Sequence, residues 1–197
     1  YLEDTPDNHP FSFHGSPVPV QLLALYELRQ RYPERKAEAD RFYPAAKRMW
    51  LFLAGIDPRS DTDRFNNGLL STYMYFYNAS GMDDDPAQVA THHRGMSAYT
   101  APIITSAMVI RTAYILARWA ENLGLNEDAA IYLERADKLR TGLLRDSWDE
   151  ESGYFAFTVY DDEGELVEKL RTEDGELLSK GLHGAYPLLD PQLPAEY

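Results

Sequence analysis

The chain contains no cysteine, and basic residues are scarce: 19 Lys and Arg stand against 32 Asp and Glu in 197 residues. Without cysteine, disulfide bonds, thiolate nucleophiles and cysteine-ligated metal sites are excluded. The formal net charge of -13 gives a surface that repels phosphate backbones and anionic lipids. Because no basic stripe offsets this charge, we expect neither a nucleic acid nor a membrane as a partner. A neutral sugar polymer would not be repelled.

Long apolar runs are also lacking, since no run approaches the roughly 18 apolar residues that a membrane-spanning helix needs. The 44% of hydrophobic residues nevertheless suffices for one domain with a core. The chain begins at Tyr1 and ends just after a loop-like, proline-bounded segment at 187–191. We therefore expect both ends to be internal cuts of a longer protein, with residues 1–197 forming a single partial domain.

Apolar periodicity predicts helices that alternate between buried and half-exposed. The first begins at Ser16 and Pro17, with its apolar face on Val18, Leu22, Leu25 and Leu28; the others cover about 36–54 (broken at Pro44), 99–123 and 126–145. The third is apolar on nearly all sides and should be buried, whereas the fourth has one apolar stripe and Asn126 as its N-cap. Residues 154–160 and 166–170 have the pattern of two short strands in a hairpin. This alternation is typical of stacked helical hairpins.

Residues 57–98 have no clear helical period. They include an aromatic run at 73–77, three consecutive carboxylates at 83–85 and the pair His92 and His93. Irregular segments of this length inside a domain are usually functional or disordered, and the aromatic residues argue against disorder. We therefore interpret 57–98 as a long active-site loop region within the domain.

The part of this region at 77–88 has the residue types that glycosidic bond cleavage requires. One carboxylic acid must protonate the leaving oxygen, a second carboxylate must activate water, and flat apolar faces stack the sugar ring. Adjacent carboxylates in a partly enclosed site raise the pKa of one of them, which suits a general acid. By themselves, however, three adjacent Asp residues form a solvated turn or a helix cap in most proteins.

The order of motifs gives a more specific indication. The segment Ser80-Gly81-Met82-Asp83-Asp84-Asp85-Pro86 resembles the Ser-Gly-Leu-Asp-Asp-Tyr-Pro-type signature of glycoside hydrolase family 63 and is also similar to the Gly-Trp-Asp segment of trehalases. Three further stretches, 16–28, 117–124 and 148–155, resemble family segments in order and spacing, so the resemblance covers nearly the whole chain. It implies an all-α fold: about half of an α/α toroid of six helical hairpins, with a small β-hairpin insertion.

The resemblance also implies roles for individual residues in an inverting glycosidase that acts on an oligo- or polysaccharide. Asp83 matches the general acid, and Asp84 matches a neighbouring position that orients the site or contacts sugar. The remaining candidate substrate contacts are Tyr77 and Ser80 in or beside the signature, Gln88 near a position where many members have Arg, and His14 in a matching substrate-lining loop. Asp85 departs from the aromatic residue usual at its position. Segment 183–187 resembles a family segment that leads back toward the site, without an assigned role.

The second carboxylate has no match in these residues, because the family's general base is a Glu far downstream in the other half of the barrel. Inverting enzymes hold the two carboxyl groups about 6.5–9.5 Å apart. We therefore expect this segment alone to be inactive and to need the remaining half of the barrel from the same longer chain. His92, His93 and the three Asp residues fit no standard ligand spacing, so neither a metal nor another cofactor is predicted.

Two other functions would fit parts of the sequence. A non-enzymatic helical-repeat scaffold would account for the paired helices, but it leaves the aromatic and acidic loop unexplained, and the helices show no fixed repeat period. A sugar lyase or epimerase on a similar toroid would rely on His, Tyr or Arg for proton abstraction instead of a carboxylic acid.

Overall fold

The computed structural model describes residues 19–71 and 85–197. Seven α-helices lie in these two ranges: α1 Val20–Arg31, α2 Lys36–Asp40, α3 Tyr43–Leu53, α4 Pro86–His93, α5 Ile103–Asn122, α6 Asn126–Gly142 and α7 Leu182–Ala185. Short 3-10 segments at Pro33–Arg35, Ser97–Tyr99 and Tyr186–Leu189 and a π-helical turn at Leu143–Ser147 accompany them. The break between α2 and α3 confirms the interruption predicted near Pro44, which occupies the first turn of α3.

Helix α5 forms the centre of the core. It is apolar on nearly all sides, and 14 of its 20 residues are buried, as predicted. By length and composition it could cross a membrane, but 78% of its most apolar window is packed inside the fold, as in the core helix of many globular domains. The Trp50 indole of α3 donates a hydrogen bond of 3.1 Å to the carbonyl of Val109, which ties α3 to this helix.

Helices α5 and α6 form an antiparallel hairpin around Gly124. This glycine has φ +75°, a left-handed conformation that favours glycine after a helix. The stripe predicted on α6 is buried at Ala136, Leu139 and Leu143, but at its start Tyr132 is buried in place of Leu133, which is 38% exposed. The prediction of Asn126 as N-cap is wrong: Leu125 occupies that position without a side-chain hydrogen bond, and Asn126 is the first helical residue.

Helix α1 buries only part of the predicted apolar face, in which Leu25 also packs against the core. Leu22 is buried, but Leu28 is 52% exposed and its neighbour Arg29 is only 5% exposed. The reason is an ion pair: the Arg29 guanidinium donates to Asp40 of α2, which draws that side of α1 inward. Apolar spacing alone could not reveal a partner 11 residues away in the chain.

The β structure is small and antiparallel. Strands β1 Thr100–Ala101, β4 Thr158–Tyr160 and β5 Leu166–Lys169 form one sheet in the order β1-β4-β5, and β2 Trp148–Asp149 pairs with β3 Tyr154–Phe155. The predicted hairpin is therefore confirmed for β4 and β5, while Tyr154 and Phe155 pair backward with β2. The fold is mostly helical with a small β insertion, as expected for part of an α/α toroid.

Candidate active site

One of the six predicted site residues lies in the described ranges. Gln88 is in the first turn of α4 and is only 5% exposed. Its backbone amide donates to the Asp85 carboxylate, and its side chain is packed within the fold. The other five predicted residues lie outside the described residues: His14, Tyr77, Ser80, Asp83 and Asp84. The site is therefore described from the elements that directly follow the signature.

Asp85 anchors the chain immediately after the predicted acid. It is the N-cap of α4, and its Oδ1 accepts hydrogen bonds from the backbone amides of Ala87 at 3.0 Å and Gln88 at 3.1 Å. Pro86 occupies the first helical position, where its missing N–H costs nothing. The helix-cap interpretation of the Asp run thus holds for its third member, and a short helix lies within the region predicted to lack helical periodicity.

The second oxygen of Asp85 faces a buried histidine. His183 Nδ1 lies 3.1 Å from Asp85 Oδ2, and the imidazole is fully buried. The ring stacks on Phe157, with ring centroids 5.5 Å apart and planes within 17° of parallel. The centroid of the Tyr186 ring lies 6.1 Å from that of the imidazole. The start of α4 is therefore joined to α7 and to the segment between β3 and β4.

The far end of α4 is joined to the β-sheet. Arg94, the C-cap residue, lies 3.4 Å from a Glu168 carboxylate oxygen on β5 and donates to the carbonyl of Arg171 at 3.3 Å. After α4 the chain enters β1, whose Thr100 pairs with Val159 of β4. The start of α4 thus lies against α7, and its end lies against β5 and the segment that follows it.

No described carboxyl group with a clearly shifted pKa is suited to act as a general acid. Such an acid needs a raised pKa to stay protonated near neutral pH. In the described ranges, each carboxyl group whose pKa departs clearly from its ordinary value has a lowered pKa, mostly because a neighbouring cation or N–H donor stabilises the charged form: Glu38, Asp40, Asp57, Asp128, Asp149 and Glu176.

An apolar groove of about 300 Å³ on α1 and α2 illustrates this point. Leu28, Tyr32 and Phe42 contribute to its lining, and its one carboxylate belongs to Glu38. A hydrogen bond from Arg35 lowers the pKa of Glu38, so this group is ionised and paired at neutral pH. The groove therefore has no side chain suited to protonating a glycosidic oxygen.

The family profile described as "Mannosylglycerate hydrolase MGH1-like glycoside hydrolase domain" matches residues 16–197. The chain belongs to this glycoside hydrolase family. No curated protein and no solved structure matches it. The match covers α1 to α7 and the segment 77–88, so the helices, the β insertion and the predicted acid loop all belong to one glycoside hydrolase domain.

The cap by Asp85 and the approach of His183 differ in how far the local sequence could reveal them. The cap function of Asp85 could have been inferred, since Asp followed by Pro is a helix-start signal. The approach of His183 to Asp85 spans 98 positions in the chain, and no local pattern contains it. In the described residues, no group of three His, Asp or Glu side chains is placed to hold a metal ion.

Proposed function

We propose that this glycoside hydrolase domain cleaves a glycosidic bond in an oligo- or polysaccharide with inversion at the anomeric carbon, and that Asp83 is the general acid. The observation that carries the proposal is the family match over residues 16–197, which includes the acidic signature. In this mechanism Asp83 transfers its proton to the leaving oxygen while a base activates water on the opposite face of the sugar.

The described end of the signature is consistent with a catalytic role for this segment. General acid catalysis requires a donor held within hydrogen-bond reach of its acceptor. Asp85, two positions after Asp83, is fixed by two backbone amides and faces a buried imidazole. The last two residues of the signature, Asp85 and Pro86, are thus held in a defined helix start, which supports a functional role for the signature. Asp84, Tyr77, Ser80, Gln88 and His14 are the proposed sugar contacts.

The general base is proposed to lie outside these 197 residues. The resemblance places it on a Glu in the second half of the barrel, and the sequence contains no segment matching that position. The remaining half of the barrel, from the same longer chain, would then complete the pair of carboxyl groups. We expect residues 1–197 alone to lack hydrolytic activity that the full-length protein has.

Asp83→Asn in the full-length protein tests the assignment of the acid. The amide cannot donate a proton, so kcat on a natural glycoside should fall by about 10²–10⁴-fold. The loss should be much smaller for a glycoside with a good leaving group such as 2,4-dinitrophenolate, which departs without protonation. Calorimetric titration should show that sugar binding persists.

Asp162→Asn is the matched control, because it makes the same change at an exposed turn residue between β4 and β5. Its kcat should equal that of the wild type. Near-normal turnover of a natural glycoside by Asp83→Asn would exclude Asp83 as the acid.

The substrate and stereochemistry need a separate experiment. The family description names mannosylglycerate hydrolase, so mannosylglycerate belongs in a substrate panel beside neutral oligosaccharides and trehalose. Proton NMR of the first product formed shows the anomer before mutarotation. Inversion predicts an anomer opposite to that of the substrate, and a retained configuration would contradict the mechanism.

The alternatives predict different results. A helical-repeat scaffold would bind ligands without turnover on any member of the panel, and its Asp83→Asn variant would behave as the wild type. A lyase would release an unsaturated sugar, which absorbs in the ultraviolet, instead of a hydrated product.

A further inference from the structure

A cavity of about 370 Å³ lies between the carboxyl ends of α1 and α5 and the start of α2. Three of the 19 basic residues of the chain contribute to its lining: Arg29, Lys36 and Arg118. The amide side chains of Gln30 and Asn122 also line it, and no described carboxylate does. The cavity therefore concentrates positive charge and hydrogen-bond donors on a chain in which acidic residues are in excess.

Arg29 gives this cavity a fixed cation. Its side chain is only 3% exposed, and its Nε donates to Asp40 Oδ1 at 2.6 Å, which holds the guanidinium in place. Its Nη2 is buried and has no hydrogen-bond partner within the described ranges. A buried donor without an acceptor destabilises a fold, and more so when it is charged. An acceptor supplied by a ligand would offset this cost.

Two further charges in the cavity are not neutralised by a neighbour. Lys36 and Arg118 are exposed, and in the part of the chain that the structure describes neither forms an ion pair. Because Asp40 matches the charge of Arg29, the cavity has an excess of two positive charges. Charges more than about 8 Å away are largely screened at physiological ionic strength, so these cations outweigh the net charge of -13 locally.

The helix dipole accounts for only part of this arrangement. It favours a cation near the carboxyl end of a helix, which suits Arg29 in the last turn of α1. It disfavours a cation at the amino end, where Lys36 is the first residue of α2. Like charges that line one cavity also repel each other until an anion lies between them. The convergence of Lys36 with two arginines therefore indicates an anionic ligand.

We infer that this cavity binds a phosphate group, either as free phosphate or as the phosphate of a sugar monoester. A phosphate monoester carries roughly 1.5 to 2 negative charges at pH 7, which matches the excess of two positive charges. The guanidinium of Arg118 suits two phosphate oxygens, Lys36 adds a point charge, and Nη2 of Arg29 gains an acceptor. The amides of Gln30 and Asn122 suit either phosphate oxygens or sugar hydroxyls. The volume lies in the range of small-molecule sites, roughly 300–1,000 Å³.

Isothermal titration calorimetry of the full-length protein in a low-salt, phosphate-free buffer tests the site, with inorganic phosphate and mannose 6-phosphate as probes. We expect a Kd below about 1 mM for at least one probe. Arg118→Gln and Lys36→Met each remove the charge of an exposed side chain, so both variants should fold and should raise the Kd by about 10–100-fold. Arg48→Gln is the matched control, because Arg48 is an exposed arginine of α3 that does not line the cavity. Its Kd should equal that of the wild type.

The two probes distinguish the sources of the phosphate. Equal affinities would assign the site to phosphate alone, whereas tighter binding of mannose 6-phosphate would show that the sugar is also contacted. Sugar phosphate bound elsewhere on the protein would keep its affinity in Arg118→Gln, so only binding that both variants weaken belongs to this cavity. Absence of binding by both probes, or an unchanged Kd in both variants, would overturn the inference.

Lys36→Glu provides a second measurement that needs no heat signal. It places a carboxylate among the cations, so in phosphate-free buffer its melting temperature should equal or exceed that of the wild type. Added phosphate should raise the melting temperature of the wild type but not that of this variant, because only the wild type binds it. An equal rise in both proteins would contradict a phosphate site here. The turnover of Asp83→Asn bears only on the proposed acid, so a failure of the proposed function leaves these binding results unchanged.

Discussion

A single carboxylate on α2 holds three helices together, and its removal tests the packing described above. Asp40 Oδ1 accepts hydrogen bonds of 2.6 Å from both Arg29 Nε on α1 and Trp119 Nε1 on α5. The side chain of Arg29 is 3% exposed and that of Asp40 is 19% exposed. Trp119 is fully buried. The perturbation is Asp40→Ala, which leaves a guanidinium and an indole N–H without their shared acceptor.

The expected loss of stability follows from these two orphaned groups. Removing one partner of a buried ion pair costs about 3–5 kcal/mol, and the lower end applies because Asp40 keeps some solvent contact. An unsatisfied buried indole N–H adds about 1 kcal/mol. We therefore expect Asp40→Ala to lower the free energy of unfolding by about 4 kcal/mol. Asp40→Asn keeps an acceptor for the indole but not the charge, so it should lose about half as much.

Urea denaturation followed by tryptophan fluorescence and circular dichroism measures this loss, provided that the m-value stays constant. Glu38→Ala is the matched control, since Glu38 lies on the same helix and binds Arg35 at the same distance of 2.6 Å, but both side chains are exposed. Its denaturation midpoint should not change, because exposed ion pairs contribute little. A loss below about 1 kcal/mol in Asp40→Ala would refute the assumption that burial, and not ion-pair distance, sets the strength of such pairs.

Two further predictions concern stability. Three partly buried carboxyl groups have a lowered pKa: Asp40, Asp128 and Asp149. Burial by itself would raise the pKa of each, but hydrogen bonds and nearby cations stabilise the charged form more strongly. Their contribution to stability should be complete above about pH 5 and lost as the pH falls below about 4 through the folded-state pKa values; an unfolding midpoint independent of pH between 5 and 3 would contradict this. Gly142→Ala should destabilise the domain by about 1–3 kcal/mol, because the new Cβ would lie 2.6 Å from the carbonyl oxygen of Gly68. The exposed neighbour Thr141, changed to Ala, should leave the thermal midpoint within about 1 °C of the wild type.

Much of the helical architecture was predictable because it depends on local periodicity. The all-round apolar pattern of 103–122 predicts a buried helix in any packing arrangement, and α5 is the core helix. The proline at position 44 predicts the break before α3 equally well. The errors occur where a polar contact changes which face is buried. Arg29 is inside and Leu28 outside because Asp40 lies across from α1.

The candidate site likewise has a part that the sequence predicts and a part that it does not. The signature at 80–86 is contiguous, so the sequence alone could show the resemblance to glycoside hydrolases, and the family match agrees with that class. The surroundings of Asp85 are not contiguous. Its cap partners are two and three residues away, but His183 is 98 residues away.

The sequence by itself determined the main helices, the β4–β5 hairpin and the glycoside hydrolase class, because each depends on residue types at short, regular spacing. Only the tertiary structure decided which oxygen of Asp85 caps α4 and which faces His183, and that Phe157 and Tyr186 enclose the imidazole. The physical reason is that burial and ion pairing depend on distances in space. Those distances join residues far apart in the chain, such as Asp85 and His183 or Arg94 and Glu168.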